Sequence, residues 1–213
     1  MKLSIVIPVY NQEKLICRAI ESCPKRDDVE VIVINDGCTD NTVTNIFENL
    51  DKFTHNFRCI SLMENQGVAN ALNAGLKDAK GEYYIALGSD DYFYTDVLNK
   101  FIDEDLDGTD MVYFCLRRND GSLIEPNEET RALWVGSTKA YKKSIIGDTI
   151  YPTGKRACED LVFDNIIRQK EHTYKFTNKV VKHYNFPREG SLTDLANKGE
   201  IKGEDLGQNI HKN

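Results

Sequence analysis

The chain has 213 residues, 40% of them apolar and 29% charged, and 27 Lys and Arg residues against 34 Asp and Glu residues give a net charge of −7. This length is typical of one compact domain with a sizeable core, and the composition excludes a collagen-like chain and argues against wholesale disorder. The acidic balance argues against a protein whose main task is to bind nucleic acid or anionic lipid through charge.

The apolar segments are short and the cysteines are scattered. No run approaches the ~20 residues that a bilayer-spanning helix needs, and Pro8 and Asn11 interrupt the first apolar run before a signal-peptide core is complete. We therefore expect no transmembrane segment and a cytoplasmic location, with a peripheral position at the inner membrane face left open. The six cysteines have irregular spacing without a C-x-x-C pair, which indicates reduced thiols rather than zinc ligands.

Up to Asp91 the chain alternates apolar runs with segments of helical periodicity. Strands rich in branched residues are predicted at 4–9, 29–34, 59–63 and 82–87. Helices are predicted from Gln12 with Asn11 as the N-cap, from a cap near Asp40, and at 68–79. This alternation indicates a parallel sheet with helices on both faces.

Beyond Asp91 the pattern is mixed. The remaining predicted elements are a helix at 97–102, a strand at 110–116, a hairpin turn at 119–122, a short helix capped by Ser137, a helix at 158–170 and extended chain at 174–186. The tail at 198–213 has almost no apolar periodicity and is predicted to be loosely held. No linker divides the chain, so we predict a single α/β domain with a central, mostly parallel but mixed sheet flanked by helices.

Polar loops follow three of the four predicted strands, at 8–11, 35–40 and 88–91. Ligands of open parallel sheets bind at the carboxyl ends of the strands, where such loops converge. The neighbouring carboxylates of Asp90 and Asp91 would repel each other there, and a divalent cation would offset that cost and could hold a diphosphate. The alternative is that the pair only begins a turn and caps the next helix. A glycine cradle for a nucleotide is excluded, since neither G-x-G-x-x-G nor G-x-x-x-x-G-K-[ST] occurs.

Four segments of the first half occur in a characteristic order: Ile5–Asn11, Val31–Thr42, Asn65–Gly75 and Gly81–Asp91. As a set they resemble the successive signatures of the family 2 glycosyltransferases with the GT-A fold. The pair Glu159–Asp160 and the segment 183–193 resemble later motifs of that family more loosely. The resemblance implies one GT-A domain over 1–213, with a Rossmann-like donor-binding half at 1–95, an acceptor and catalytic half at 96–197 and a flexible tail at 198–213.

The resemblance also implies a nucleotide-sugar donor, for which we expect a UDP-sugar. Tyr10 and the backbone near Pro8 would contact the base. Asp36 would accept a hydrogen bond from uracil N3–H, and Gly67 would allow close approach of the backbone. The structural alternatives are that Tyr10 packs at the sheet edge and that Asp36 and Gly67 are turn residues. Asp40 is assigned to capping of the following helix.

The segment Ser89–Asp90–Asp91 resembles the metal-binding signature of the family. Asp91 would ligate Mn²⁺ or Mg²⁺, while Ser89 and Asp90 would face the donor, with Asp90 also able to share the metal. Two departures from the family pattern are Gly88, where another Asp is common, and Leu72, where Arg is common. The departure at Gly88 puts the division of labour between the two carboxylates in doubt. The departure at Leu72 removes a basic group near the site, for which Lys77 or Arg188 could compensate.

The acidic pair of Glu159 and Asp160 resembles the pair that supplies the general base of the family. We predict that Asp160 takes the proton of the acceptor hydroxyl in a direct displacement that inverts the anomeric centre. The alternative is favourable interaction with the positive end of their own helix. Arg188 and Ser191 would close over the diphosphate.

Two further residues have both a functional and a structural interpretation. His183 could ligate a metal, although a lone histidine in a strand is more often structural. Trp134, the single tryptophan, could stack on an acceptor sugar or pack in the core.

The leading hypothesis is therefore a metal-dependent, inverting glycosyltransferase. A nucleotidyltransferase is an alternative, although such an enzyme would need a glycine-rich, basic loop after the first strand. A degenerate relative that binds a nucleotide sugar without turnover is a second alternative, kept open by Gly88 and Leu72. The sequence leaves the transferred sugar, the oligomeric state and the acceptor open, the acceptor being a glycan, a lipid-linked sugar or another hydroxyl compound.

Overall fold

The computed structural model describes residues 1–131, 138–154 and 159–186, and nine strands of this part of the chain form one sheet. The strands are β1 (Leu3–Val9), β2 (Val29–Asn35), β3 (Phe57–Ser61), β4 (Tyr83–Ala86), β5 (Tyr92–Phe93), β6 (Met111–Arg118), β7 (Leu123–Ile124), β8 (Lys139–Lys142) and β9 (Tyr174–Tyr184). The helices are α1 (Ile16–Glu21), α2 (Thr42–Glu48), α3 (Val68–Asp78), α4 (Thr95–Glu104), α5 (Lys143–Ile146) and α6 (Glu159–Arg168).

The first four strands form the parallel half of the sheet, in the order β3-β2-β1-β4. Leu3 of β1 lies opposite both Val29 of β2 and Tyr83 of β4, so β1 has a parallel neighbour on each side. Each connection between these strands contains one α-helix, as parallel pairing favours, and the connection from β2 to β3 also contains a short 3-10 helix at Leu50–Lys52. Nearly every residue of β1 and β2 is buried, which explains their apolar sequences and confirms the predicted alternation.

The second half continues the sheet in the order β8-β6-β9-β5 and is mixed. β8 runs antiparallel to both β4 and β6, whereas β9 runs parallel to β6 and antiparallel to β5. β6 and β7 form the hairpin predicted from the turn at 119–122. Because Tyr92 of β5 lies opposite His183 of β9, the last described strand borders the segment that directly follows β4.

Two apolar clusters cover the two faces of the sheet. Ile5 and Val31 belong to one cluster and their chain neighbours Val6 and Ile32 to the other, as the two-residue period of a strand dictates. Helices α1, α2 and α4 pack on the first face, and α3, α5 and α6 pack on the second. The predicted coverage of both faces is confirmed.

The prediction that Asn11 caps the first helix is wrong. Helix α1 begins at Ile16, and no side chain caps its first turn. Asn11 instead has a left-handed φ of 49°, and its carboxamide oxygen accepts a hydrogen bond from the Thr39 N–H at 2.8 Å. The side chain is therefore committed to the loop after β2 and cannot reach the helix.

Two further boundaries differ from the predictions. Strand β3 begins at Phe57, two residues early, because Phe57 already pairs with Val31 of β2. Ser137 lies outside the described residues, and the short helix predicted to follow it is α5, which begins only after the intervening strand β8.

The described cysteines form no disulfide: Cys23 and Cys115 are buried, and Cys17, Cys38 and Cys59 are partly buried. Cys158 and the predicted tail lie outside the described residues. In the described ranges, every helix is too short or too polar to cross a membrane.

Candidate active site

The loops after β1 and β2 are joined by hydrogen bonds. The Asp36 N–H donates to the Val9 carbonyl at 2.9 Å, and the Asn11 carboxamide holds Thr39 as described above. Tyr10 lies between these contacts and keeps 44% of its surface exposed. An exposed ring at the carboxyl edge of a parallel sheet is available to stack on a planar ligand. The exposure of Tyr10 argues against the structural alternative, in which the ring packs at the sheet edge.

Pro8 lies in β1 even though β1 has neighbours on both sides. The Val6 carbonyl accepts a hydrogen bond from the Leu87 N–H at 2.9 Å, and the pairing with β4 ends at Val6. The backbone of Pro8, two residues after Val6, faces β4 as well, but it lies beyond the last residue pair between β1 and β4. Its missing N–H therefore removes no bond from the ladder.

Asp36 is buried, with 3% of its surface exposed, and its carboxylate holds the loop before α3. Oδ1 accepts a hydrogen bond from the Gln66 N–H at 2.8 Å, and Oδ2 accepts one from the Gly67 N–H at 2.9 Å. Each carboxylate oxygen has two lone pairs, so a contact with a ligand donor would add to these bonds. Asp36 thus links the loop after β2 to the loop that begins α3. Asp40 lies one residue before Asn41, the N-cap position of α2, and accepts a hydrogen bond from the Thr42 N–H of the first turn at 3.0 Å.

The turn after β4 is closed by a hydrogen bond from the Asp91 N–H to the Gly88 carbonyl at 3.0 Å. The Asp91 side chain is buried with 3% exposure, and its Oδ2 lies 3.0 Å from Lys182 Nζ. Its Oδ1 accepts a hydrogen bond from the Asn185 N–H at 2.9 Å. The Asp91 carboxylate is therefore held by β9 and by the residue that follows it.

Asp90 differs from Asp91 in that the residue is partly exposed. The Asp90 carbonyl accepts a hydrogen bond from the Arg18 guanidinium at 2.6 Å, so α1 helps to fix the turn. Ser89 is buried in the same turn. A Cβ at Gly88 would lie 3.0 Å from an Asp91 carboxylate oxygen and 3.1 Å from one of Asp90. A side chain at this position would therefore project between the two carboxylates.

The donor atoms of this turn match only part of a metal ligand set. In residues 1–131, 138–154 and 159–186, no group of three or more His, Cys, Asp and Glu side chains is arranged to hold a metal ion. The turn offers the partly exposed Asp90 beside the ion-paired Asp91. Such a set fits a hard cation that takes one or two protein carboxylates and completes its shell with substrate phosphate oxygens and water.

The acidic pair begins α6, as predicted. Burial raises the pKa of Glu159 to about 7, and the charge of Asp160 adds to the shift. Burial likewise raises the pKa of Asp160 to about 6, although a hydrogen bond from the Leu161 N–H and the charge of Lys139 lower it. A pKa near neutral pH suits a general base. Interaction with the positive helix end would lower both values, so that alternative is not the dominant effect.

A buried polar network lies one turn further along α6. Asp164 Oδ1 lies 2.7 Å from Lys139 Nζ and accepts a hydrogen bond from the Tyr141 hydroxyl at 2.8 Å. Asp164 Oδ2 accepts from Arg168 Nε at 2.7 Å. The Lys139 and Asp164 side chains are fully buried, and the negative charge of Asp164 contributes to the raised pKa of Asp160.

Both ring nitrogens of His183 have protein partners. Nε2 lies 2.8 Å from Asn119 Oδ1, and Nδ1 lies 3.2 Å from the Tyr94 hydroxyl. The ring also stacks on Tyr92, with 4.5 Å between the centroids. These contacts favour the structural interpretation of His183. Arg188, Ser191 and Trp134 lie outside the described residues, and their roles stay predictions.

Sequence reasoning missed Lys182 and Arg18. Lys182 follows two valines in a segment that also contains Lys179 and His183, so the sequence gives no signal that it is buried and paired; lysine is almost never fully buried unless it is paired. Arg18 lies on an amphipathic helix, where a cation normally faces solvent, and its contact with Asp90 joins residues 72 positions apart. No local sequence pattern predicts a contact between residues so far apart in the chain.

Comparison with known proteins places these features in a family context. Residues 4–177 match the model of the family described as Glycosyl transferase family 2. An uncharacterized glycosyltransferase of Rickettsia typhi is 37% identical over 154 residues, which cover 70% of this chain and 45% of that protein. The poly(ribitol-phosphate) beta-glucosyltransferase of Bacillus spizizenii is 30% identical over 183 residues, which cover 76% of this chain and 29% of that protein. The chain thus spans less than half the length of these curated relatives.

Among solved structures, S. aureus TarS 1-349 in complex with UDP-GlcNAc is similar, with a TM-score of 0.77 and 26% sequence identity. The similarity covers 90% of this chain and 60% of the TarS chain. The GT-A fold that the sequence motifs implied is confirmed by this match.

Proposed function

This chain belongs to glycosyl transferase family 2, and we propose that it transfers a sugar from a UDP-sugar to an acceptor hydroxyl with inversion at the anomeric carbon. The observation that carries the proposal is that the polar segments after β1 and β2 are joined by hydrogen bonds at one edge of the parallel sheet. At the same edge, Asp36 holds the loop before α3 and Arg18 of α1 holds the turn after β4. This edge is where open α/β sheets bind their ligands. Family membership favours sugar transfer over the nucleotidyltransferase alternative.

Donor binding is proposed for the half at 1–95. Tyr10 would stack on the uracil ring beside the backbone of Pro8, and its exposure supports that role. Asp36 would accept the uracil N3–H while it holds the loop at Gln66, and Gly67 would allow the backbone to approach the nucleotide. The similarity to TarS 1-349, whose structure is a complex with UDP-GlcNAc, supports uridine as the nucleoside.

The turn after β4 is the proposed site of Mn²⁺ or Mg²⁺. Asp91 is the proposed ligand of the cation and Asp90 is proposed to share it or to face the donor; the Asp91 carboxylate would then meet the cation while it also pairs with Lys182. When bound, a divalent cation would offset the negative charge that develops on the departing diphosphate. Ser89 stays a proposed donor contact of this turn, and Arg188 and Ser191 stay proposed contacts to the diphosphate.

Asp160 is the proposed general base. Its carboxylate would take the proton of the acceptor hydroxyl while the acceptor oxygen attacks the anomeric carbon from the face opposite the diphosphate. The bond between that carbon and the diphosphate oxygen breaks, its electron pair leaves with UDP, and the single displacement inverts the centre. The pKa of Glu159, at about 7, leaves this neighbour half protonated at neutral pH, which favours Asp160 for the role.

The acceptor is proposed to bind to the half at 96–197. We expect a hydroxyl group of a glycan, a lipid-linked sugar or another polymer. The relative from Bacillus spizizenii is named for poly(ribitol-phosphate), which makes a polyol-phosphate polymer one acceptor to test.

Titration calorimetry with UDP, in the presence of Mn²⁺ and then of EDTA, tests donor binding. We expect at least tenfold tighter binding with Mn²⁺, and release of UDP from at least one of UDP-glucose, UDP-galactose and their N-acetylated analogues. The Asp160→Asn variant should bind UDP like the unaltered chain but turn it over at least a hundredfold more slowly. The Asp96→Asn variant, which changes an exposed carboxylate in the first turn of α4, is the matched control and should behave normally.

Three results would change this proposal. Absence of UDP binding under both conditions would refute the donor assignment. Equal binding with Mn²⁺ and EDTA would refute the metal assignment. Binding without release or transfer for every donor would indicate a nucleotide-sugar-binding protein.

A further inference from the structure

Lys139 and Asp164 form a fully buried ion pair in the half of the chain that contains the acidic pair. Lys139 Nζ lies 2.7 Å from Asp164 Oδ1, and neither side chain reaches solvent. Apolar residues of similar volume often stabilise a core as well as such a pair or better. The burial of two charges at this position therefore indicates a role beyond stability.

The Asp164 carboxylate faces more than one cation. Arg168 Nε lies 2.7 Å from its Oδ2, and the Tyr141 hydroxyl donates to its Oδ1 at 2.8 Å. Two cations thus face one carboxylate, which leaves this network with an excess of one positive charge. A second carboxylate near Lys139 would balance that charge.

Asp160 is in the position to do so. It lies four residues before Asp164 on α6, and residues four apart lie on the same side of a helix. Burial raises the pKa of Asp160, and the charge of Lys139 opposes that shift. Asp160 is partly exposed, whereas Lys139 is fully buried. An acceptor can therefore approach Asp160 from solvent while the ammonium acts on it from the core.

The other described groups near Asp160 do not supply this positive charge. The charge of Asp164 opposes that of Lys139. Tyr151, in the segment after α5, is neutral at physiological pH, because burial raises its pKa well above the ordinary value. Glu159 is half protonated near neutral pH, since its pKa is about 7. Among these groups, Lys139 is the one that favours the ionised form of Asp160.

We propose that Lys139 is a positioning residue of the transfer reaction, whose ammonium, fixed by Asp164, holds Asp160 in the ionised form that takes the acceptor proton. The inference rests on the proposed function, because it concerns the surroundings of the proposed general base. Lys139 lies opposite Tyr113 of β6, and its Nζ lies 4.7 Å from the centre of the Tyr113 ring. The strand pairing and the ring hold the lysine stem, so the ammonium stays in place when an acceptor binds.

Carbon-13 NMR of the full chain, labelled at the aspartate carboxyl carbons, tests this role without donor or acceptor. The Asp160 signal is identified by its loss in Asp160→Asn. We expect Lys139→Met to raise the titration midpoint of Asp160 by about one pH unit, because the nearby positive charge is lost. A midpoint within about 0.3 pH unit of that of the unaltered chain would overturn the proposal.

Arg58→Met is the matched control. Arg58 lies on the edge strand β3, and its guanidinium lies 2.7 Å from the carboxylate of Glu30, which is also fully buried. The control therefore removes the cation of another buried carboxylate at a distance from α6. It should leave the midpoint of Asp160 unchanged, and an equal rise in the control would overturn the specific role of Lys139.

Lys139→Gln keeps the test valid if Lys139→Met folds poorly. The glutamine amide can still donate to Asp164, whose charge Arg168 still compensates. The Asp160 midpoint should rise in this variant as well. An unchanged midpoint in a folded Lys139→Gln chain would overturn the proposal.

The pH dependence of UDP release separates this role from a purely structural one. The substrate is whichever of UDP-glucose, UDP-galactose and their N-acetylated analogues turns over fastest. We expect kcat/KM of Lys139→Gln to be about fivefold lower at pH 5.5 but within about threefold at pH 8.5, where Asp160 is ionised in both chains. An equal loss at both pH values would indicate a structural role and overturn the proposal.

The two measurements also separate this inference from the proposed function. A midpoint of Asp160 that stays in place overturns the role of Lys139 and leaves the general base standing. A midpoint that moves without any change in the pH dependence of UDP release would overturn the general-base assignment, and this inference with it.

Discussion

The side chain of Asn73 satisfies both backbone polar groups of Tyr151. Its Nδ2 donates to the Tyr151 carbonyl at 2.9 Å, and its Oδ1 accepts from the Tyr151 N–H at 2.7 Å. The Tyr151 ring stacks on Phe163 of α6 with 3.9 Å between the centroids, and its hydroxyl lies 3.1 Å from that of Tyr84. Phe163 lies one helical turn after Asp160, so α3 helps to determine, through Tyr151, where the acidic pair lies.

Replacing Asn73 with alanine should destabilise the protein. Two backbone groups of a buried residue lose their partners, which predicts a loss of about 1–3 kcal/mol in the free energy of unfolding. Asn70→Ala is the matched control, because the Asn70 amide, on the same helix, makes one exposed hydrogen bond, to the Gln66 carbonyl just before the helix. Denaturant unfolding should give a change below about 0.5 kcal/mol for the control. Equal losses in the two variants would contradict the role assigned to Asn73.

The rate of transfer should depend on pH through Asp160. A general base must be deprotonated, so kcat/KM should rise with pH through about 6, the pKa of this carboxyl, and then level off. The Glu159→Gln variant should keep this rise of kcat/KM with pH. Asp160→Asn should lower the rate by a factor of about 10² to 10⁴. The measurement is a pH–rate profile at saturating UDP-sugar, and an unchanged profile in Asp160→Asn would contradict the assignment.

The same carboxyl should reduce stability at neutral pH. Burial raises its pKa from the ordinary 3.8 to about 6, so the folded state binds a proton more tightly than the unfolded chain. The free-energy cost of ionising this carboxyl in the folded state is absent below pH 3.8. It grows between pH 3.8 and 6 and is complete above pH 6. Asp160→Asn should therefore raise the free energy of unfolding at pH 8 by on the order of 2 kcal/mol, with no gain near pH 3.5. Asp96→Asn is again the control, and an equal gain at both pH values would contradict the prediction.

Alanine at Gly37 should be more damaging than alanine at Gly67. Both glycines have a positive φ, of 70° and 88°, and Gly67, with a ψ of 157°, lies in a region that essentially only glycine adopts, so each substitution carries strain of about 1–3 kcal/mol. A Cβ at Gly37 would also lie 2.5 Å from the backbone carbon of Glu64, whereas a Cβ at Gly67 would meet nothing within 4 Å. We expect Gly37→Ala to cost about 1–3 kcal/mol more than Gly67→Ala in denaturant unfolding.

UDP affinity should follow the same order. The clash at Gly37 displaces the loop at 64–67, which Asp36 holds through Gln66 and Gly67. Titration calorimetry should therefore show a larger loss of UDP affinity in Gly37→Ala than in Gly67→Ala. A larger loss in Gly67→Ala would indicate that close approach of the ligand at Gly67 matters more than the position of the loop.

The parallel half of the fold could be predicted because its signals are local. β1 and β2 are near-continuous apolar runs, and α3 has a clear helical period beginning after Gly67. Asn11 was misassigned because its partner, Thr39, is distant in sequence. A polar residue before a helical pattern has the same sequence signature whether its side chain caps the helix or bonds to another loop. The order of β8, β6 and β9 could not be predicted, since it depends on pairings between distant segments.

Much of the candidate site was also visible in the sequence, because its residues follow strand ends. Asp36 and Asp90 could be identified as candidates from their positions, but the backbone partners of Asp36 could not. The different environments of Asp90 and Asp91 depend on Lys182, a residue that only the three-dimensional pairing of β9 with β5 brings to the turn.

The bond between Asp91 and Asn185 joins residues 94 positions apart in the chain. Contacts of such long range are formed late, because a large loop must close before they contribute any stability. During synthesis, a chain that has reached β6 already contains every strand of the parallel half, yet it lacks the strand that fixes the turn after β4. The proposed nucleotide site is therefore encoded near the amino terminus, and we expect its turn after β4 to become rigid only when β9 joins the sheet.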